Sequence, residues 1–235
     1  RYDTVGDTAV RTTLEYPLDV VADSSGGFVL VDNGNHRILR VDSAGAVRVV
    51  IGTGLSDVNL IPNRASQSSI AFPVAVTLDA AGDIYVAIST TCRILRVRSN
   101  DTVETVAGNG TCGFAGDGGP ATQASFRAVF GLAFDTEGRL LISDTSNNRI
   151  RRIESNGTVR TIAGNGANTF ATIDNSPATT TPIAFPVGLA FDRATNSLFI
   201  GEGFRRVLRL NPDGSLSTVA GTGFSGTSGD GGLAT

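Results

Sequence analysis

The sequence has no lysine, methionine or tryptophan, and it has one histidine and two cysteines among its 235 residues. The absence of lysine excludes Schiff-base chemistry and a lysine general base within this chain. The single histidine, His36, excludes a zinc site built on a pair or a triad of histidines. Charged residues make up only 17% and the net charge is -3, so no basic field favours a nucleic-acid partner. No run of 18 apolar residues is present, so no membrane span is expected.

Glycine is abundant, at 29 residues, and it recurs within an internal repeat. Similar segments begin at Pro17, Pro73, Val129 and Pro186, at spacings of 56, 56 and 57 residues. Four units therefore cover nearly the whole chain, at about residues 16–71, 72–128, 129–184 and 185–235. Each unit holds four short runs rich in β-branched and aliphatic residues, separated by turns that begin with an acid and end with glycine. The pattern predicts an all-β fold, a β-propeller of four-stranded antiparallel blades in a single domain over residues 1–235.

Several motifs carry a family resemblance. Asn35-His36-Arg37-Ile38, Asn148-Arg149-Ile150-Arg151 and the segment 116–122 resemble the NHL-repeat proteins. The resemblance implies an NHL-type β-propeller, commonly of five or six blades, so the four repeats are expected to form part of a larger propeller or assembly. Segments 5–10 and 229–235 share one phase of the repeat. This match predicts either further blades or a tail that docks on another copy.

The repeat is longer than one blade requires. A four-stranded blade needs about 40 residues, which leaves roughly 15 residues in each junction between blades. We expect these junctions, residues 55–70, 113–125 and 167–183, to form a binding or packing surface. The glycine-rich stretch 116–119 could hold calcium or phosphate in principle. A plain turn is favoured, because Asp117 is the only acid there and no lysine follows.

Both cysteines lie in the second unit. Cys92 opens the third strand of that unit and Cys112 follows the fourth, so the hairpin brings residue 108 opposite Cys92 and a disulfide is sterically reasonable. Two free thiols are the alternative. Three Asn-X-Ser/Thr triplets begin at Asn100, Asn109 and Asn156 and are candidate glycosylation sites. A disulfide and surface sequons together predict an extracellular or cell-surface setting.

Acids recur at one position of three repeats, each four or five residues before an arginine. The pairs are Asp32 with Arg37, Asp144 with Arg149, and Glu202 with Arg206. They could line a calcium site, as in calcium-dependent lactonase propellers, or form one structural ion pair in each blade. Structural pairs are favoured, because a catalytic residue normally breaks the symmetry of a repeat and these residues keep it. We therefore expect no catalytic residue, no metal and no cofactor.

The sequence thus predicts a non-enzymatic extracellular β-propeller module whose partner is a protein, a glycan or another copy of itself. A calcium-dependent hydrolase that uses the three repeated acids is the first alternative. The NHL resemblance also raises RNA binding as a second alternative, although the acidic total charge argues against it.

Overall fold

The computed structural model describes residues 9–170, 173, 175–203, 205–224, 226 and 232–234. The predicted match between the two chain ends falls largely on residues outside these ranges. The described residues form an all-β structure of four-stranded antiparallel blades, which confirms the predicted β-propeller class. The chain divides into two compact units, Arg1–Cys112 and Gly113–Thr235, and each holds two blades. The single domain over residues 1–235 stays a prediction.

The first unit contains two sheets whose strands follow one another in chain order. The strands of its first blade are β1 Pro17–Ala22, β2 Phe28–Asp32, β3 Arg37–Val41 and β4 Val47–Ile51. Those of its second blade are β5 Pro73–Leu78, β6 Ile84–Ile88, β7 Arg93–Val97 and β8 Val103–Ala107. A shared apolar core joins the facing sides of the two blades and includes Val31, Ile38 and Ile51 from the first and Val86 and Leu95 from the second.

The second unit repeats this arrangement. Its third blade has the strands β9 Val129–Phe134, β10 Leu140–Asp144, β11 Arg149–Ile153 and β12 Val159–Ala163. Its fourth blade has the strands β14 Pro186–Asp192, β15 Ser197–Glu202, β16 Arg206–Leu210 and β17 Ser215–Ala220, and the short β13 Ser176–Pro177 adds to the edge of β17. Leu141 and Ile150 from the third blade and Ile200 and Leu208 from the fourth belong to one buried core.

Each junction packs on the blade that follows it. In the first unit the junction pairs with itself between Asn59 and Ser69, and the Ala65 amide donates to the Asp101 carbonyl in the turn between β7 and β8. In the second unit the Val159 amide of β12 donates to Gly119 at 2.9 Å, and Gly118 donates back to Val159 at 2.7 Å. The extra residues of the period therefore contact the next blade, at the turn before its outer strand in the first unit and along the outer strand β12 in the second. For the same reason the second unit begins at Gly113, before the third blade itself.

Candidate functional site

The repeated acids fix the end of each junction to its own blade. The Asp32 carboxylate accepts from the Glu15 amide at 2.8 Å and from Arg37 Nε at 2.7 Å, and both side chains are buried. Arg37 also donates to the Thr13 carbonyl at 3.0 Å. Asn35 donates to the same carboxylate. Asp32 and Arg37 therefore join the segment before β1 to the turn after β2.

The fourth blade has the same arrangement. The Glu202 carboxylate accepts from the Ala184 amide at 2.9 Å and from Arg206 Nε. Glu202 is fully buried. Each carboxylate thus has an arginine on one oxygen and a backbone N–H on the other, so both serve the packing of their blade.

The third blade departs from the predicted pair of Asp144 with Arg149. Arg149 lies opposite Asp144 in the strand register, yet its guanidinium packs over the ring of Phe114 at 4.1 Å. Arg151 makes the ion pair with Asp144 instead, at 3.5 Å. The guanidinium of Arg149 stacks on Phe114 of the preceding junction instead of binding Asp144. Arg151, which is buried in the blade, binds Asp144 in its place.

Arg151 is a fully buried cation with several partners. Its guanidinium contacts Asp117 at 2.7 Å and the carbonyl oxygens of Ser125 at 2.8 Å and Ala115 at 3.0 Å. It also lies 4.6 Å from the centre of the Phe126 ring. Asp117 in turn accepts from the amide and hydroxyl of Thr161 on β12. The predicted turn at residues 116–119 therefore carries an anchor that holds the junction on the blade.

Sequence reasoning missed this anchor, although a signal was available. The other repeats have Leu39, Leu95 and Leu208 at the position of Arg151. A charged residue at an aliphatic core position requires a partner of opposite charge. The junction before the third blade supplies that partner, Asp117.

Asp144 gives the fold a measurable dependence on pH. Burial raises its pKa to about 6 from the usual 3.8, against the hydrogen bonds from Asn147 and Arg127 and the charge of Arg151. Between pH 4 and 6 the folded chain then binds this proton more tightly than the unfolded chain, so this group's contribution to stability falls as the pH rises. Asp144→Asn lacks this titration, so the unfolding free energy of the variant minus that of the wild type should rise by about 2 to 3 kcal/mol from pH 4 to pH 7. Urea unfolding of both proteins across this range measures the difference, and parallel curves would contradict the prediction.

The two cysteines are bonded to each other in the structure, with their Cα atoms 5.4 Å apart. Cys92 has the left-handed backbone, φ +51°, that His36 and Asn148 adopt at the equivalent positions. Asn100, Asn109 and Asn156 are all exposed, and the Asn100 and Asn156 side chains accept from the threonine of their own triplets. Glycosylation at these residues stays a prediction.

Three exposed phenylalanines of the second unit lie close together, and two of them contact arginine side chains. Phe114, Phe170 and Phe185 are 41–45% exposed. Arg149 lies over Phe114, and Arg205 lies 4.9 Å from the centre of the Phe170 ring. We call these five residues, together with Asn148, the Phe–Arg surface.

Hydrogen bonds and close packing connect the members of the Phe–Arg surface. Asn148 donates to the Gly166 carbonyl at 3.2 Å and accepts from the Phe185 amide at 3.0 Å. The Gly203 amide donates to the Phe185 carbonyl at 3.1 Å. A side chain at Gly203 would collide with the ring of Phe170, so glycine there permits this packing. The surface is therefore continuous and held by the backbone.

The described part of the chain has neither a cluster of metal ligands nor a helix of membrane-spanning length. Those residues contain no group of three or more histidine, cysteine, aspartate or glutamate side chains that could hold a metal ion. None of their helices has the length and hydropathy of a membrane span.

Comparison with known proteins gives matches at the level of family and of fold. The family model of the teneurin NHL domain matches residues 80–230, and that of the NHL repeat matches residues 14–40. Mouse teneurin-1 is 26% identical over 171 residues, which are 64% of this chain and 6% of that protein. Mouse teneurin-3 is 27% identical over 212 residues, which are 83% of this chain and 8% of that protein. The chain thus spans less than a tenth of these relatives.

Two solved structures share the fold at low identity. A chain of a nidogen/laminin complex aligns with a TM-score of 0.61 and 18% identity, over 87% of this chain and 65% of its own length. A streptogramin B lyase aligns with a TM-score of 0.57 and 12% identity, over 86% of this chain and 53% of its own length. At such identities the likeness concerns the fold alone.

Proposed function

Because the chain belongs to the family of teneurin NHL domains, we propose that it is a non-enzymatic extracellular module that binds another protein through the Phe–Arg surface. The observation that carries this proposal is the exposure of Phe114, Phe170 and Phe185 beside Arg149 and Arg205. Aromatic residues and arginine are enriched in protein interfaces, and a few of them supply most of the binding energy.

The geometry of the surface supports a preformed binding site. The Asn148 side chain is held by hydrogen bonds to the backbone, and Arg149 and Arg205 are stacked on rings, so these three side chains lose little entropy on binding. Arg205 is exposed, so its positive charge is open to a partner. A partner that combines apolar side chains with a carboxylate would match this surface best.

An extracellular location is supported by two independent features. The bond between Cys92 and Cys112 requires an oxidising compartment to form and persist. The three sequons lie at exposed positions, where glycosylation would not disturb the core.

The absence of catalysis is proposed from the state of the repeated acids. Asp32, Asp144 and Glu202 are buried, and each binds an arginine of its own blade and a backbone amide. A carboxylate engaged in this way is poorly placed to bind calcium or to act on a substrate. The calcium-dependent hydrolase therefore remains the less supported alternative, and RNA binding has no support beyond the family resemblance.

The test removes the exposed rings with substitutions that other repeats already contain. Phe170→Val copies Val58, and Phe185→Ala copies Ala128, which has the same left-handed backbone, φ +53° against +48°. The labelled protein is titrated onto the surface of cultured cells. We expect the double variant to bind at least about tenfold more weakly, which corresponds to the loss of two interface side chains of moderate importance.

The control and the treatments separate the remaining alternatives. Val20→Ser removes an apolar side chain that is 63% exposed on β1 of the first unit, and it should bind as the wild type does. Treatment of the cells with protease should abolish binding. Equal binding by the double variant would refute the proposed surface. Binding that survives protease but not glycosidase would assign a glycan partner, and dimers in sedimentation that the double variant does not form would assign another copy of the chain.

A further inference from the structure

The repeat allows one cross-strand pair to be compared in four blades. The position concerned lies in the third strand of each blade and always holds an arginine. Its partner in the fourth strand varies: Arg40 lies opposite Arg48, Arg96 opposite Glu104, Arg152 opposite Arg160, and Arg209 opposite Ser217. Only the first and third blades place two like charges directly opposite each other, which normally destabilises an antiparallel pair.

In the third blade one acid contacts both arginines, whereas in the first blade the acid contacts only one of them. Glu154 binds both Arg152, at 2.8 Å, and Arg160, at 2.6 Å. Asp42 is the equivalent acid of the first blade, but its Oδ1 accepts from the amides of Ala44 and Ala46 within the turn. Asp42 does not pair with Arg48, and Arg48 forms no ion pair within the described residues.

The pKa of Arg40 reflects its burial and the nearby charge of Arg48. Arg40 is paired with Asp23 across the blade, but burial and the charge of Arg48 lower its pKa. At the equivalent position of the second blade, where Glu104 replaces the second arginine, the pKa of Arg96 is raised instead, since hydrogen bonding to Asp83 and the surrounding acids outweighs burial. At this register position of the first blade, Arg40 has an acid partner, whereas Arg48 has none within the described residues.

The side chains of Arg40 and Arg48 line a cavity. A space of about 220 Å³ lies between the first and second blades and is lined by Arg40, Arg48, Arg98, Ser66 and Ser99, among others. Asp101 also lines it, but both of its carboxylate oxygens accept from Ser66, and Arg98 is paired with Glu104. The Ser99 hydroxyl makes no hydrogen bond within the described residues. The cavity thus offers guanidinium and hydroxyl donors, while its one carboxylate is already engaged.

We propose that Arg40 and Arg48 form a binding site for the oxyanion of a sulfate or phosphate group in this cavity. The planar donors of two guanidinium groups match the oxygens of such a group, and its charge would relieve the repulsion between them. The site lies in the first unit and does not depend on the proposed function of the Phe–Arg surface.

The test converts the first blade into the arrangement of the second. Arg48→Glu recreates the pair of Arg96 with Glu104, so it should raise the melting temperature at low ionic strength without any ligand. The wild type should gain a few degrees with low-millimolar inorganic sulfate at constant ionic strength, and Arg48→Glu should gain nothing. The expected rise in stability keeps the result distinct from a variant that fails to fold. Equal responses of the two proteins to sulfate would overturn the site.

A matched control lies in the third blade. Arg160→Glu makes the same substitution at the equivalent position, where Glu154 already binds both arginines, so the response to sulfate should stay at the wild-type level. A response lost in both variants would point to a general effect of surface charge and would also overturn the site.

Inorganic phosphate and a sulfated disaccharide then distinguish the source of the group. A disaccharide that stabilises the wild type at lower concentrations than inorganic sulfate would place the group on a glycan chain. Equal potency would assign the free ion. The site is retained whether the group belongs to a glycan or to the free ion, and in both cases Arg48→Glu must abolish the response.

Discussion

Replacement of Arg151 by alanine should cost about 3 to 5 kcal/mol of the free energy of unfolding, because it removes one partner of a buried ion pair and leaves the other without compensation. Asp144 and Arg151 are both fully buried, and the guanidinium also holds Asp117 and two carbonyl oxygens of the junction. The loss should therefore appear both as lower stability and as release of the junction from β12. Urea unfolding measures the first, and amide hydrogen exchange at Val159 and Thr161 measures the second.

The control for this experiment is an exposed arginine of the same blade. Arg160 is 59% exposed and forms a surface ion pair with Glu154. Arg160→Ala should cost less than about 1 kcal/mol. Similar losses for Arg151→Ala and Arg160→Ala would show that the buried cation is not the anchor of the junction.

Removal of the disulfide should cost about 3 kcal/mol, the entropy of closing a loop of some 20 residues in the unfolded chain. The variant Cys92→Asn with Cys112→Ser uses residues that other repeats have at these positions, Asn148 and Ser56. Asparagine tolerates the left-handed backbone of residue 92, so the bond is removed without added strain. Chemical unfolding of the variant and the oxidised wild type gives the difference.

A reducing agent supplies the second arm of this test. It should lower the unfolding midpoint of the wild type to that of the double variant and leave the variant unchanged. Two free thiols in the wild type under oxidising conditions, or a midpoint insensitive to reduction, would contradict the prediction.

The repeat alone was enough to predict the blades. Pro17, Pro73, Val129 and Pro186, identified by their spacing, are the first residues of β1, β5, β9 and β14. Each strand follows from alternating or continuous apolar residues between turns with glycine. The course of the junctions was not predicted. Part of their contact with the next blade runs through backbone groups such as the Gly119 carbonyl, which leave no side-chain pattern.

Some contacts of the candidate sites could be predicted from the sequence and others could not. The pairs of Asp32 with Arg37 and of Glu202 with Arg206 could be inferred from repetition. The partner of Asp144 could not, because it depends on how Phe114 packs against Arg149. Phe114 and Phe170 are visibly 56 residues apart, but nothing in the sequence reveals that they are exposed, since phenylalanine is usually buried.

The order of junction and blade also has a consequence for synthesis. A chain emerges from the ribosome with its N-terminal part first, and domains begin to fold as they appear. Each described junction precedes the blade that it contacts. In the second unit the contact includes the outermost strands β12 and β17, so the covering segment is already outside the ribosome when each of these strands is completed. A finished outer strand, which could otherwise pair with a neighbouring nascent chain, therefore meets its own partner first.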